Sequence, residues 1–243
     1  MKRTLSTLGL GLAFLLLPAA ASAQSDGGFQ RGTLAIGAER MTGLYFYSFK
    51  SQVPIDGTNR SVDVTTSGTQ LNLLWNSNLV DVPRGIGANP ASVPRLGVDY
   101  MGTDLVSVGG SVGYFSASGS QKQSDTGVSV DTVTVSGFAF APRVGFALHL
   151  GSSFLFWPRV GVSYFHIKGE RSGGGSTSGS IWDIVAEPMF VYSPVPHFGF
   201  AFGPLLELGV AGSYEIRDNN GVSRSTDTTV TNYGAIAGVV GYL

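Results

Sequence analysis

Three histidines, His149, His166 and His197, are the side chains whose ordinary proton affinity suits acid–base work near neutral pH. No two of them lie at a metal-ligand spacing. The chain has no cysteine, which removes thiolate metal sites, cysteine nucleophiles and disulfides together. Gly173-Gly174-Gly175-Ser176-Thr177 has the composition of a phosphate cradle but lacks the lysine and the following helix. The aspartates of the polar stretches lack calcium-loop spacing. No metal or other cofactor is therefore expected. What stands out instead is charge in regular places. Pro-Arg-x-Gly occurs three times, at Pro94–Gly97, Pro142–Gly145 and Pro158–Gly161. Glu187 precedes a fourth proline, Pro188, and Glu39, Asp99, Asp183 and Glu207 lie in comparably apolar surroundings. Only 13% of the 243 residues are charged, about half the usual share, so each of these groups needs a reason.

The elements that must position them are strands. Apolar residues alternate with period two between turn clusters. Phe138, Phe140, Pro142, Val144, Phe146 and Leu148 share one face, against Gly137, Ala139, Ala141, Arg143, Gly145 and Ala147. The pattern recurs at Phe154, Phe156, Pro158, Val160, Val162 and Tyr164, and at Phe198, Phe200, Phe202, Pro204, Leu206, Leu208 and Val210. Val106, Val108, Val112 and Tyr114 oppose Ser107, Gly109, Ser111 and Gly113. One face is large and apolar, the other small, polar or singly charged. A soluble barrel puts its large residues inside. A barrel in lipid puts them outside. The pattern therefore predicts an all-β, antiparallel transmembrane β-barrel. Tyr100, Tyr114, Trp157, Tyr164, Tyr192 and Tyr214, near strand ends, suit interfacial girdles.

Eight spanning strands are expected, at 32–50, 93–101, 104–117, 131–149, 153–169, 179–193, 197–216 and 229–243. Short turns at Gly102-Thr103, 150–152 and 194–196 alternate with polar stretches at 118–130, 170–178 and 217–228, as short periplasmic turns alternate with longer external loops. Segment 51–92 is long for a loop. Within it, Gln70–Trp75 reads as a further strand that extends the wall or caps the mouth; ten strands are the lesser option. Pro83, Pro90 and Pro94 argue that 76–94 does not span. At the start, Lys2 and Arg3, the apolar run Leu8–Leu17 and Ala21-Ser22-Ala23 form a secretory signal peptide over 1–23, with a short periplasmic segment at 24–31 before a barrel domain at 32–243. The balance of 15 basic and 16 acidic residues gives no case for nucleic acid.

Alternation sends Glu39, Arg95, Asp99, Arg143, Arg159, Asp183, Glu187 and Glu207 inward. Arg95, Arg143, Arg159 and Glu187 each sit seven or eight residues from a short turn, roughly 20 Å above it in a tilted strand. They should form one interior charge layer. Charges in a narrow lumen must pair. The layer then either fixes a plugged barrel or lines a gate. Glycine two residues from each arginine leaves room for its side chain, and the strand prolines should mark bends or bulges. Arg40 falls outward by strict alternation, a costly position in lipid that a bulge near 39–43 would relieve.

With these features the chain resembles small eight-stranded outer-membrane barrels of the OmpA type, and a glycine-rich group of Gram-negative barrels in particular. Segments Gly37–Arg40, Pro94–Tyr100 and Gly109–Tyr114, the interior Arg/Glu set and the terminal strand Tyr233–Leu243 carry the resemblance. It implies residence in the outer membrane, contact with lipid and lipopolysaccharide, and recognition of the C-terminal strand by the assembly machinery. Tyr242-Leu243 departs from the usual terminal Phe or Trp. No peptidoglycan-binding domain is expected after the barrel. The implied function is structural or surface-interacting and non-enzymatic, with a surface ligand at the external loops left open. A porin-like narrow pore is the alternative. Lipid A-modifying barrels use a histidine with a serine and an acid near the outer leaflet, and His166 is the one residue suited to that role. Barrel proteases use rim acids with a histidine; Asp218 and Asp227 are rim acids without one.

Overall fold

In lipid every backbone polar group must find a partner within the protein, so a period-two chain can span only by closing its sheet. The computed structural model describes residues 29–54, 61–74, 79–82, 85–122, 129–171, 175–217, 219 and 221–243. The expected signal peptide, Trp75, Pro83 and Asp218 lie outside these.

Twelve strands are present among the described residues: β1 (Leu34–Pro54), β2 (Ser61–Asn72), β3 (Leu79–Val82), β4 (Gly85–Ala88), β5 (Arg95–Met101), β6 (Val106–Lys122), β7 (Ser129–Phe146), β8 (Leu148–His149), β9 (Phe154–Arg171), β10 (Ser176–Val195), β11 (Phe198–Arg217) and β12 (Ser223–Tyr242). Eight of them close a ring in chain order, β1-β5-β6-β7-β9-β10-β11-β12, each antiparallel to its neighbours, and β12 pairs back onto β1. At the end that carries the short turns the two ends of the ring are tied together. Leu34 and Leu243 exchange N–H···O bonds of 3.0 Å in both directions.

Across the apolar band one row of large apolar side chains on β6, β7, β9, β10 and β11, among them Val112, Phe140, Val160, Ile184 and Phe200, faces outward and stays exposed. From Phe154 to Tyr164, Tyr192 to Trp182 and Phe200 to Val210 the apolar outward row runs ten residues. At ~3.3 Å per residue and a ~40° tilt that is about 25 Å, the height of the apolar band of an outer-membrane barrel. Tyr100, Tyr114 and Tyr192 are exposed, and Tyr164 stacks between Phe138 and Trp182. Two aromatic residues expected in the girdle do not join it. Trp157 is 2% exposed inside the barrel, and Tyr214 packs against the interior apolar cluster. Trp157 shares its phase with Arg159, so alternation outweighs the preference of indole for interfaces.

Much of the expected loop sequence is wall. Above the apolar band, β6, β7, β9, β10, β11 and β12 continue as paired strands with polar outward residues. Ser136 pairs with Lys168, Ser178 with Glu215 and Ser213 with Asp227. Segment 51–92 adds no strand to the ring. β2 lies along the upper half of β1, from Gly43↔Asn72 to Pro54↔Ser61, on the edge that β5 occupies lower down, from Leu34↔Tyr100 to Glu39↔Arg95. Among the described residues β2 pairs with β1 alone. β3 and β4 form a small separate hairpin, and a 3-10 turn at Pro90–Ser92 follows. No helix among the described residues is long and apolar enough to cross a membrane.

Pro142, Pro158 and Pro188 leave the register unshifted, whereas Pro194 lies within the shift between Tyr192 and Val195. Pro188 sits opposite Pro158 in an unbroken register, and between β7 and β9 the register is the same on both sides of Pro142. Register shifts fall at Ala38/Thr42, Gly119/Ser120, Trp182/Asp183, Tyr192/Val195 and Leu208/Ser213. A missing N–H interrupts a ladder; it does not by itself insert a residue.

Candidate functional site

The interior is built in three levels. Nearest the short turns, Phe29 from the segment before β1 enters the barrel and packs on Trp157 and Tyr242, with ring centroids 4.7 and 5.2 Å away. Met101, Leu155 and Val191 complete this apolar plug. The indole N–H of Trp157 donates to Ser107 Oγ at 3.0 Å.

The charge layer lies above it. The structure places Glu39, Arg95, Asp99, Arg143, Arg159, Asp183, Glu187 and Glu207 inside the wall, all buried, and adds Arg40. The register shift at Ala38/Thr42 leaves Arg40 at φ 55° and turns its side chain inward, where it is 1% exposed. A non-glycine residue in this region is strained, and here two carboxylates offset the strain. Arg40 reaches Glu187 at 2.9 Å and Glu207 at 2.7 Å. Sequence reasoning located the bulge but left Arg40 out of the layer; its place beside Glu39, in a stretch with no other charge from Gly32 to Phe49, was the available signal.

Arg143 is the hub. Its Nη1 donates to Glu39 Oε2 at 2.7 Å, its Nε donates to Asp99 Oδ1 at 3.0 Å, and its Nη2 pairs with both acids. Arg159 bridges Glu39 at 2.6 Å and Glu187 at 2.7 Å, and its guanidinium lies 4.8 Å from the Trp157 ring centre. Arg95 is looser, 3.5 Å from Glu207. Asp183 is fully buried, and neither of its carboxylate oxygens has a hydrogen-bond partner. The three repeated motifs explain the density. On antiparallel neighbours they pair reciprocally, so Arg143 faces Gly161 and Arg159 faces Gly145. The space beside each arginine thus comes from the neighbouring strand. A Cβ at Gly161 would strike the base of Arg143, and one at Gly145 would strike Trp157 and Ser107.

Above the charges the lumen is apolar again. Phe49, Phe115, Val135, Phe165, Ile167, Ile181 and Val230 converge on Val93. Val93 follows the 3-10 turn, which enters the barrel from segment 51–92 and is buried throughout. Its carbonyls cap two arginines: Arg40 donates to Ala91 O at 3.1 Å and Arg95 to Pro90 O at 3.3 Å. From β2, Asn72 Nδ2 donates to Ser92 O at 2.9 Å and Gln70 Nε2 to Ser92 Oγ at 3.2 Å. The internal voids beside the charge layer, one against Glu39 and Trp157 and one against Arg95 and Glu187, each have room for about one water.

The histidines are far from this layer. His149 is exposed beside a short turn, and His197, at φ 66°, lies 2.8 Å from Tyr242 O through Nδ1. His166 faces outward near the upper edge of the apolar band. Its Nδ1 is 3.0 Å from Ser180 Oγ, which is also 3.1 Å from the Tyr164 hydroxyl. Glu170, higher on the same face, is paired with Lys168 at 2.7 Å. Ser180 sits within a strand paired on both sides, so it has no turn of free N–H groups beside it. Asp227 is exposed on β12. No group of three His, Cys, Asp or Glu residues among the described residues could hold a metal.

No protein-family model matches the chain, and no curated protein does. Solved structures do. The outer membrane protein OprG from Pseudomonas aeruginosa is 14% identical, with 89% of this chain and 98% of that one covered and a TM-score of 0.55. The outer membrane protease OmpT from Escherichia coli is 9% identical over 89% and 98%, with a TM-score of 0.42. The attachment invasion locus protein Ail of Yersinia pestis is 13% identical over 88% and 99%, with a TM-score of 0.36. At such identity the likeness to OprG speaks for architecture alone, and it does not single out the OmpA type. The closed eight-strand ring, its outward apolar band and this likeness make the chain a small outer-membrane β-barrel.

Proposed function

We propose that this is a non-enzymatic protein of the outer membrane with a structural or surface-interaction role. Lipid and lipopolysaccharide contact its apolar band, and the terminal strand presents it to the assembly machinery. The reading rests on the charge layer held between two apolar plugs, which leaves the outer surface as the accessible part. That surface includes β2, which rises beyond the apolar band with one edge that has no strand partner among the described residues. Such an edge is a template for an extended partner segment.

Planar-bilayer conductance of the refolded mature chain tests this, beside the Arg143→Ala, Arg159→Ala double variant. Silence in both supports a plugged scaffold. Discrete openings in the parent, enlarged in the variant, would replace it with the second reading, a narrow gated pore. One observation favours that alternative: the 3-10 turn is an insert held by side-chain hydrogen bonds and is not a strand of the ring. The contact between His166 and Ser180 revives the lipid-modifying reading only if a deletion strain shows an altered lipid A profile. An unchanged profile is expected.

A further inference from the structure

The charge layer does not balance. Among the described residues, Arg40, Arg95, Arg143 and Arg159 are buried inside the barrel with five carboxylates, Glu39, Asp99, Asp183, Glu187 and Glu207. Four of the five are ion-paired: Asp99 and Glu39 with Arg143, Glu187 with Arg40 and Arg159, and Glu207 with Arg40. Asp183 is the surplus. Its side chain is 0% exposed, and both oxygens lack a partner. An isolated buried carboxylate is among the most expensive groups a protein can hold.

Its neighbours have the same shortage. Asp183 stands opposite Ser163 on β9 and opposite Gly209 on β11. Directly opposed residues of one face have Cβ atoms about 5 Å apart, and Gly209 puts no side chain into that space. Glu207 lies two residues along β11, and Asn232 is opposite Glu207 on β12. Asn232 Nδ2 donates to Glu207 Oε2 at 3.1 Å, which leaves its Oδ1 free. The Ser163 hydroxyl is buried and free as well. Two carboxylate oxygens, a hydroxyl and an amide oxygen therefore face inward from β10, β9 and β12, within the four adjacent strands β9 to β12, and all of them can accept. Of the arginines that approach, Arg40 is engaged with Glu187, Glu207 and Ala91, and Arg95 donates to Pro90 O and stands 3.5 Å from Glu207, while the Nε of each is buried without a partner.

We propose that Asp183, with the Ser163 hydroxyl and the Asn232 amide oxygen, binds a monovalent cation of the Na⁺ or K⁺ kind inside the barrel. The oxygen-only donor set selects a hard cation. The single surplus charge selects a monovalent one, because a divalent ion would overcompensate. The site is independent of whether the lumen conducts.

The mature chain is refolded and unfolded by heat at pH 8 in choline chloride, with NaCl or KCl substituted at constant ionic strength. The expected result is an unfolding temperature that rises saturably with Na⁺ or K⁺. Asp183→Asn should lose that dependence in every salt, and Ser163→Ala should raise the half-saturating concentration several-fold. Equal unfolding temperatures in all salts would show a neutral carboxyl and overturn the proposal. So would a saturable rise that survives in Asp183→Asn. Should that variant not refold, Ser163→Ala and Asn232→Ala decide, and half-saturation unchanged in both overturns the site.

Discussion

Replacing Arg40 with alanine would leave Glu207 with the loose contact from Arg95 as its one cation and the Asn232 amide as its hydrogen-bond donor, and remove one of the arginines serving Glu187. Removing one partner of a buried pair costs about 3–5 kcal/mol, because the other charge stays behind. Urea unfolding of the refolded barrel should show a loss of that size for Arg40→Ala. By contrast, Lys168→Ala should change nothing measurable, since its pair with Glu170 is more than half exposed. Trp157 offers an optical test of its unexpected placement. In single-tryptophan variants Trp157 should resist quenching by both iodide and brominated lipid, whereas Trp182, outward at the band's upper edge, should be quenched by lipid brominated near the headgroup. Lipid quenching of Trp157 would return it to the girdle and undo the lower plug.

The elements that close the barrel are held in different ways, and so should fail differently. The lower plug depends on one aromatic residue carried by the segment before β1. Phe29→Ala should cost about 3 kcal/mol, as truncation of a buried aromatic residue does, and lower the temperature at which the folded form is lost on gels. The upper plug depends on Ser92, held from β2. Asn72→Ala and Gln70→Ala together remove those ties, and hydrogen exchange at the Ala91 amide, which donates to Asn89 Oδ1 at 3.1 Å, should speed up while the ring strands stay protected. Equal exchange in parent and variant would mean that the ring itself holds the turn in place. A strand was legible at Gln70–Trp75, of which Gln70–Asn72 belong to β2, but its start at Ser61 and its pairing were not. Its polar half, Ser61–Thr69, alternates weakly because both faces meet water or small residues.

For the whole molecule, a ring without edges resists detergent until all strands part. The unboiled chain should migrate apart from the boiled one, and a single position at every temperature would count against closure. The wall continues above the band, so an external protease should leave a resistant fragment larger than the apolar band alone accounts for.

The sequence alone determined that the chain is an outward-apolar barrel, and that Glu39, Arg95, Asp99, Arg143, Arg159, Asp183, Glu187 and Glu207 face inward. Both follow from a side-chain period of two, which is a local property of any strand. The Pro-Arg-x-Gly repeats also showed that arginines would share a level. Partners were another matter. Which carboxylate meets Arg143, why Gly145 and Gly161 lie opposite arginines, and that Asp183 is left unpaired all depend on register between strands far apart in the chain. The inward turn of Arg40 depends on a register shift between Ala38 and Thr42 that alternation alone does not describe. The plugs were hidden for the same reason. Phe29, Val93 and the 3-10 turn carry no periodic signal, and they fill the lumen because closing the ring leaves an apolar space that only chain from outside the ring can occupy.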